Sequence, residues 1–229
     1  NKDEEILYLD PNIKLQEQEY YSIGKISPSP DNSLIAYTED NNGRREYDIR
    51  IIDTSTLNIL NDSISNASYD VIWSNDTEYF IYLKKDPTTL INDSVYVHKI
   101  GTSEEEDVLI YKEVDPEFNI NLYTSKTKKY AYIDIDSTNS NEIRILSLGS
   151  SNQDKLTTFL ERQEDHLYKI DHSNDIFYIQ TNLNSPNYRI MQSLNASISH
   201  IDESNELIPH HPNVYIQDFV ITSSYIVLE

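Results

Sequence analysis

The sequence contains no cysteine, and this absence removes several kinds of site at once. Disulfides, thiolate metal centres and cysteine nucleophiles are excluded. Glycine is almost as scarce, with only four residues in 229. A nucleophile elbow, a P-loop and a dinucleotide-binding fingerprint all need closely spaced glycines, so none of these motifs occurs. Asn and Asp must therefore make most turns, because their side chains bond the local backbone and tolerate left-handed conformations.

Basic residues are also few. The chain has 18 Lys and Arg and 39 Asp and Glu, which gives a formal charge of -21. Nucleic acid is excluded as a partner, since its phosphates require a basic surface. Cationic partners are permitted because a cleft of one sign attracts ligands of the other, although solubility alone also accounts for the charge. No apolar run approaches the roughly 18 residues of a membrane span, so no membrane partner is expected.

The six histidines are the remaining candidates for chemistry. His98 lies in an alternating, strand-like segment and is interpreted as structural. His210 and His211 are adjacent, and adjacent side chains on an extended chain point to opposite faces, which disfavours a shared metal ion. Ser150, which follows a glycine, is interpreted as part of a turn. We therefore expect no catalytic, cofactor-binding or metal-binding residue in this chain, and no cofactor.

A short pattern recurs along the chain: a Ser or Thr, a polar turn, and then a strand of alternating aromatic and aliphatic residues. The clearest copy is WSNDTEYFIYL at residues 73–83. The copies begin at Ser29, Ser74, Ser125, Ser173 and Thr222, in steps of 45, 51, 48 and 49 residues. The copy at Ser173 is two residues shorter than the others. A period in this range is typical of a repeat architecture.

Each repeat predicts four short antiparallel strands, which is the pattern of a β-propeller blade. We predict an all-β propeller with blades at about 23–66, 67–115, 116–162 and 163–212, and the start of another at 213–229. Trp73 and residues 79–83 are expected to pack blade on blade, and the phenol oxygens of the 18 tyrosines are expected to reach water at the rim. The predicted strands are at 5–10, 25–27, 34–37, 48–53, 59–64, 69–73, 79–83, 95–100, 108–111, 120–123, 130–135, 142–148, 155–159, 167–170, 176–180, 188–192, 217–220 and 225–228. No fourth strand is located in the last complete blade, and Asn42-Gly43 predicts a hairpin tip.

Five longer segments of the sequence, taken in order, carry a family resemblance. They are EEILYLDPN, YYSIGKISPSPDNSLIAYTEDNNGRREYDIRIIDT, VIWSNDTEYFIYLKKDP, VYVHKIGTSEEEDVLIYKEVDPEFNINLYTSKTKKYAYI and NSNEIRIL. The fourth segment contains the most specific pattern, His98-x-x-Gly101-Thr102 followed by Asp107, Glu113, Asp115 and Phe118. Together the segments resemble the N-terminal propeller of the oligopeptidase B (protease II) group in the prolyl oligopeptidase family of serine peptidases, family S9. The resemblance is close over residues 1–180 and weaker beyond, and the scarcity of glycine departs from the usual composition of the family.

The resemblance implies a cytoplasmic, two-domain serine-type endopeptidase that hydrolyses short peptides after Arg or Lys. In that family a seven-bladed propeller covers an α/β-hydrolase domain with a Ser-Asp-His triad and limits access to short, unstructured peptides. Short basic peptides and the hydrolase domain are therefore the implied partners. None of the hydrolase domain is present here, so this chain is expected to be non-catalytic.

The length adds a further expectation. Seven blades of about 48 residues need roughly 340 residues, so the chain would hold four blades and the start of a fifth from a seven-bladed parent. Its unpaired edges would then favour self-association. Two alternatives remain open: a stand-alone propeller that binds a protein or peptide on one rim, and a family member with another specificity. The sequence that follows Glu229 would distinguish the stand-alone propeller from the peptidase. A substrate panel on the full-length protein would distinguish the family member with another specificity.

Overall fold

The computed structural model describes residues 6–16, 18–149, 155–222 and 224–229. Within them the chain is almost entirely antiparallel β-structure, and its one α-helix is the four-residue α1 at Pro11–Lys14. The chain divides into two compact units, a first unit of Asn1–Val114 and a second unit of Asp115–Glu229. The prediction of an all-β fold built from four-stranded antiparallel sheets is confirmed.

The first predicted strand, at residues 5–10, is wrong in its described part, because residues 6–10 form no regular structure. Asp10 instead caps α1, and its Oδ1 accepts a hydrogen bond from the backbone N–H of Asn12 at 2.9 Å. An aspartate at the N-cap followed by Pro11 is a helix-start signal, since the proline ring presets the helical φ. This local signal prevails over the alternation of apolar residues that precedes it.

The first unit is one antiparallel meander in which each strand pairs with the next along the chain. Gly43 lies in the turn after the second strand with φ +78°, as the Asn-Gly signal predicted. The strands are β1 Ser22–Pro28, β2 Leu34–Asp40, β3 Tyr47–Asp53, β4 Ile59–Trp73, β5 Tyr79–Lys85, β6 Asn92–Lys99 and β7 Val108–Lys112.

Strand β4 is shared between two blades. The sequence predicted two strands here, at 59–64 and 69–73, whereas the structure has a single strand of 15 residues. Its first part pairs with β3 and its last part with β5, and Ala67 takes part in both pairings. Asn66 adopts the left-handed conformation with φ 55°. Because asparagine tolerates this conformation, the strand changes partner without ending.

The second unit contains two four-stranded sheets and a two-stranded sheet, each an antiparallel meander. The fourth strand that the sequence did not locate is β15, which pairs with β14 through a register shift. Gly149 lies in a bend, and the rest of the turn predicted around Ser150 falls outside the described residues. The strands are β8 Asn119–Thr124, β9 Tyr130–Asp136, β10 Asn141–Ser147 and β11 Thr157–Leu160, then β12 Tyr168–Ser173, β13 Ile176–Thr181, β14 Arg189–Ser193 and β15 Asn205–Ile208, and finally β16 Phe219–Ile221 and β17 Ile226–Leu228.

The recurring serine builds the turn that follows it. Ser74 Oγ accepts the backbone N–H of Tyr79 at 3.1 Å and donates to Asp76 Oδ1 at 2.6 Å. Thr77 is left-handed, with φ 64°. The turns after Ser29 and Ser125 have the same serine bond to the residue five positions on. The repeated sequence pattern therefore reflects a repeated hydrogen-bonded turn between the first two strands of a blade.

The shorter copy at Ser173 uses a different turn. Ser173 pairs directly with Ile176, which leaves a two-residue hairpin loop. Both loop residues, Asn174 and Asp175, have positive φ, at 51° and 60°. Two consecutive left-handed residues are the mark of a type I′ turn, whose twist matches that of the flanking strands. The two missing residues in the sequence pattern thus correspond to a tighter hairpin.

The aromatic stretch of the second blade is core, as predicted. Trp73 is 5% exposed, and the five residues 79–83 are completely buried. Trp73 packs edge to face against Phe80 with ring centroids 5.5 Å apart. Its indole N–H donates to the backbone oxygen of Ser27 on β1 at 2.8 Å, which joins the first strand of one blade to that of the next.

The expectation that tyrosine phenols reach water at the rim is wrong for several of them. Tyr79, Tyr82 and Tyr132 are completely buried. The hydroxyl of Tyr82 donates to Asp107 Oδ2 at 2.7 Å instead of to solvent. The Tyr132 hydroxyl, by contrast, is buried without a hydrogen-bond partner among the described residues. These tyrosines therefore place polar groups inside the blades as well as apolar rings.

Candidate functional site

His98 lies at the centre of a buried polar cluster in the first unit. Its Nδ1 is 2.6 Å from Asp107 Oδ1, and its Nε2 is 3.4 Å from Asp62 Oδ2. The Tyr82 hydroxyl bonds the second oxygen of Asp107. The imidazole is fully buried and both carboxylates are nearly so. The cluster joins β4, β5 and β6 to the loop that precedes β7.

The charges of this cluster decide what it can do. Burial acts to lower the pKa of His98, but the hydrogen bonds and charges of Asp107 and Asp62 prevail and raise it. Burial and the bond to Asp107 raise the pKa of Tyr82 far above its usual range. Because both ring nitrogens face carboxylates, the imidazole has no free nitrogen to take a proton from a nucleophile. The geometry supports the interpretation of His98 as structural.

Gly101 completes the cluster from the turn after β6. Its backbone N–H donates to Asp62 Oδ2 at 2.7 Å. Its φ is +85°, which disfavours any residue with a side chain, whereas the space around its Cα is open. The positive φ therefore accounts for glycine here. Asp62 was not identified from the sequence because it lies 36 positions from His98, and no local pattern links the two.

The other residues of the same motif also build the fold. Glu113 is buried and accepts hydrogen bonds from the Tyr111 hydroxyl at 2.7 Å and from the backbone N–H of Val114 at 2.9 Å. In the second unit Phe118 is buried, and the Arg162 guanidinium carbon lies 4.0 Å from its ring centroid. The motif that carried the family resemblance is thus a set of packing and hydrogen-bonding positions.

The remaining histidines are dispersed. His166 is completely buried, with Nε2 2.8 Å from Thr181 Oγ1, and burial lowers its pKa to about 4. His211 Nδ1 accepts the backbone N–H of Asn213 at 3.2 Å in a local turn. Within the described ranges, no group of three or more His, Asp or Glu side chains is placed to hold a metal ion. In the same ranges no helix is long and apolar enough to cross a membrane.

Oppositely charged side chains link the first strands of neighbouring blades at one repeated position. In the first unit Lys25 Nζ lies 2.6 Å from Asp70 Oδ1. In the second unit Lys169 Nζ lies 2.5 Å from Asp218 Oδ1. All four residues stand four positions before the Ser or Thr of their turn. These pairs are partly exposed, so each contributes no more than about 1 kcal/mol to the packing of one blade on the next.

A cleft of about 200 Å³ lies in the second unit beside one of these pairs. Its walls include Tyr188 and Tyr215, whose rings are perpendicular with centroids 5.6 Å apart. Lys169 and Asp218 close one side and already satisfy each other. The side-chain amide of Gln180 donates to the backbone oxygen of Ile216 at 2.7 Å. The Lys169–Asp218 pair and the Gln180 amide are therefore engaged with the protein itself.

Comparison with known families matches the whole chain. The model of the prolyl oligopeptidase N-terminal β-propeller domain covers residues 1–229. The chain is 33% identical over 225 residues to dipeptidyl aminopeptidase BI of Pseudoxanthomonas mexicana. That alignment covers 98% of this chain and 31% of the relative. The chain is 26% identical over 220 residues to protease 2 of Moraxella lacunata, with 93% and 31% covered. The chain thus spans 31% of the length of these two relatives.

Solved structures show the same fold. Oligopeptidase B from Leishmania major superposes with a TM-score of 0.88 at 23% identity, over 96% of this chain and 31% of that one. Oligopeptidase B from Trypanosoma brucei, in a closed form with covalently bound antipain, gives a TM-score of 0.86 at 25% identity, over 97% and 31%. Both alignments cover nearly all of this chain.

Proposed function

The chain belongs to the prolyl oligopeptidase family, as its N-terminal β-propeller domain, and we propose that it is the gating propeller of a cytoplasmic serine peptidase that hydrolyses short peptides after Arg or Lys. The observation that carries this proposal is the likeness to oligopeptidase B over nearly the whole chain. The catalytic residues belong to an α/β-hydrolase domain beyond this chain. The propeller itself restricts access to the active site, so that only short, unstructured peptides reach it.

The acidic charge supports a basic substrate. The formal charge of -21 is spread over a chain of 229 residues. A surface of one sign raises the local concentration of oppositely charged ligands and speeds their association, and the effect weakens as ionic strength rises. A peptide that carries Arg or Lys would be drawn toward such a propeller before it reaches the hydrolase domain. The specificity at the scissile bond is a separate property of that domain.

A fluorogenic substrate panel on the full-length protein tests the proposal. N-acetylated peptides that place Arg, Lys, Pro or Ala before the fluorophore are compared at low and high salt. We expect hydrolysis after Arg and Lys, none after Ala, and a kcat/KM that falls as salt increases. The 229-residue chain alone serves as the matched control and is expected to be inactive. Preferred hydrolysis after Pro, or activity of the isolated chain, would contradict the proposal.

A second candidate is a dipeptidyl aminopeptidase, which releases two residues from a free N-terminus. The observation that favours it is the 33% identity to dipeptidyl aminopeptidase BI over 98% of this chain. The two candidates differ in their need for a free amino group. Ala-Arg linked to a fluorophore is assayed with a free and with an acetylated N-terminus. An endopeptidase hydrolyses both forms, whereas a dipeptidyl aminopeptidase hydrolyses the free form alone.

A further inference from the structure

A cleft of about 380 Å³ in the first unit holds two positive charges, although the chain as a whole is strongly acidic. It lies between the turn after β2, the middle of β4 and the turn after β5. Its lining includes Arg45, Tyr47, Tyr69, Lys85 and Leu90. The peptidase proposal assigns no role to this cleft.

Arg45 lines the cleft from a turn whose backbone is bonded to Asp40. The Asp40 carboxylate accepts the N–H groups of Asn42, Gly43 and Arg45 at 3.0, 2.8 and 2.9 Å. Arg45 takes the left-handed conformation, with φ 58°, which costs a residue with a side chain of order 1 kcal/mol or more. Its side chain is exposed, and among the described residues its guanidinium makes no ion pair.

Lys85 supplies the second positive charge. Its Nζ donates to the backbone oxygen of Arg45 at 2.6 Å and so bonds to a carbonyl group, not to a carboxylate. Burial lowers the pKa of Lys85, and the charge of Arg45 acts in the same direction, while Glu46 and Asp40 act to raise it. Asp40 is already occupied by the turn backbone. An ammonium group that is partly desolvated and lacks a bonded carboxylate favours an anionic ligand.

Two tyrosines form an aromatic wall beside these charges. The rings of Tyr47 and Tyr69 meet edge to face with centroids 6.3 Å apart. A Cβ added at Gly24 would lie 2.6 Å from the Tyr47 ring and 2.6 Å from Thr38 Oγ1. One of the four glycines of this chain therefore allows the Tyr47 ring to lie against β1. Leu90 adds an apolar side chain to the same lining.

We infer that this cleft binds the carboxylate of a peptide whose adjacent apolar side chain packs against the tyrosines. The Arg45 guanidinium and the Lys85 ammonium group would hold the carboxylate oxygens. Arginine binds a carboxylate through two parallel N–H bonds, and lysine adds a point charge. The carboxylate has two possible sources, a free C-terminus or an Asp or Glu side chain, and both present the same chemistry to the cleft.

Three probe peptides separate the sources. They are acetyl-Ala-Ala-Leu with a free C-terminus, the same peptide as its C-terminal amide, and acetyl-Ala-Asp-Leu-amide. Binding is measured by saturation-transfer NMR on the full-length protein after its serine peptidase activity has been blocked with a fluorophosphonate. We expect the free acid, the Asp peptide or both to bind with a Kd of about 1 mM, and the uncharged amide to bind about tenfold more weakly.

Charge-removing variants locate the binding. Arg45→Gln and Lys85→Gln are each expected to weaken the carboxylate peptide about tenfold. Lys99→Gln is the matched control, because Lys99 is an exposed cation of the same unit outside the cleft, and its affinity should match the wild type. Thermal melting by circular dichroism checks that each variant is folded. The exposed position of Arg45 keeps the test informative if Lys85→Gln loses stability.

Three results would overturn the inference. The first is that neither carboxylate peptide binds better than the amide. The second is unchanged affinity in folded Arg45→Gln and Lys85→Gln proteins. The third is an equal loss in the Lys99→Gln control, which would indicate a general effect of net charge and no site.

Discussion

The fold raises the pKa of the Asp134 carboxyl group, so that this group keeps its proton at a higher pH than an exposed aspartate does. Asp134 lies on β9, where it pairs with Asn121 of β8 and Ile143 of β10. Its Oδ1 accepts a hydrogen bond from the Asn141 side-chain amide at 2.8 Å. Burial raises its pKa to about 6, the Asn141 bond acts against the rise, and the charge of Asp136 adds to it. The Asp134→Asn substitution removes the charge and keeps the acceptor oxygen.

The size of the effect follows from the difference between the folded and unfolded proton affinities. A folded pKa of about 6 lies above the unfolded value of 3.8, so the folded state binds the proton more tightly. The contribution of the protonated Asp134 carboxyl to the stability of the fold is complete below the unfolded pKa and is lost as pH rises through about 6. At pH 8 the charged Asp134 therefore destabilises the fold by about 2–3 kcal/mol, and Asp134→Asn should recover most of that.

Urea unfolding followed by circular dichroism at pH 4, 6 and 8 measures the difference. We expect Asp134→Asn to be more stable than the wild type at pH 8, and the advantage to shrink to near zero as pH falls to 4. Asp202→Asn is the control, since it removes an exposed carboxylate from the same unit. An advantage that is independent of pH, or a directly titrated Asp134 carboxyl with a pKa below 4, would refute the reasoning.

Two further substitutions test the packing between strands. His98→Gln leaves the buried Asp107 and Asp62 without their cation and should cost about 3–5 kcal/mol at pH 6. Because the folded pKa of His98 is raised, the loss should be full below the ordinary histidine pKa and should diminish as pH rises through the folded value, in urea titrations at pH 6 and 9. Trp73→Phe removes the bond to Ser27 and part of the ring, and should lower the free energy of unfolding by about 1–3 kcal/mol at any pH. An unchanged urea midpoint in either variant would show that these contacts do not stabilise the first unit.

Most of the fold could be predicted because its signals are local and repeated. The serine turn recurs with the same bonds at Ser29, Ser74 and Ser125, and each bond joins residues five positions apart. Alternation of apolar residues located β5 and β9 to within a few residues. The prediction failed where a local signal competed with another one, as in the helix start at Asp10, or where one strand served two blades, as in β4.

The candidate sites could not be predicted in the same way. His98 was correctly read as a strand residue, but its partners Asp107 and Asp62 lie 9 and 36 positions away. Lys85 bonds to the backbone of Arg45 across 40 positions. The chain has 39 Asp and Glu residues, so their positions in the sequence do not show which of them will contact a given histidine. Only the pairing of the strands decides that.

The sequence by itself determined the repeat period, the four-stranded blades and the family to which the chain belongs. The period and the blades follow from hydrogen bonds and side-chain alternation within a few residues, whereas the family follows from the resemblance of longer segments to known members. The tertiary structure alone decided which charges are paired, as at the buried His98, and which line a cleft without a bonded carboxylate, as at the exposed Arg45 and the partly buried Lys85. The physical reason is that charge pairing and desolvation depend on the distance between side chains in space, and the meander of strands sets that distance across tens of residues.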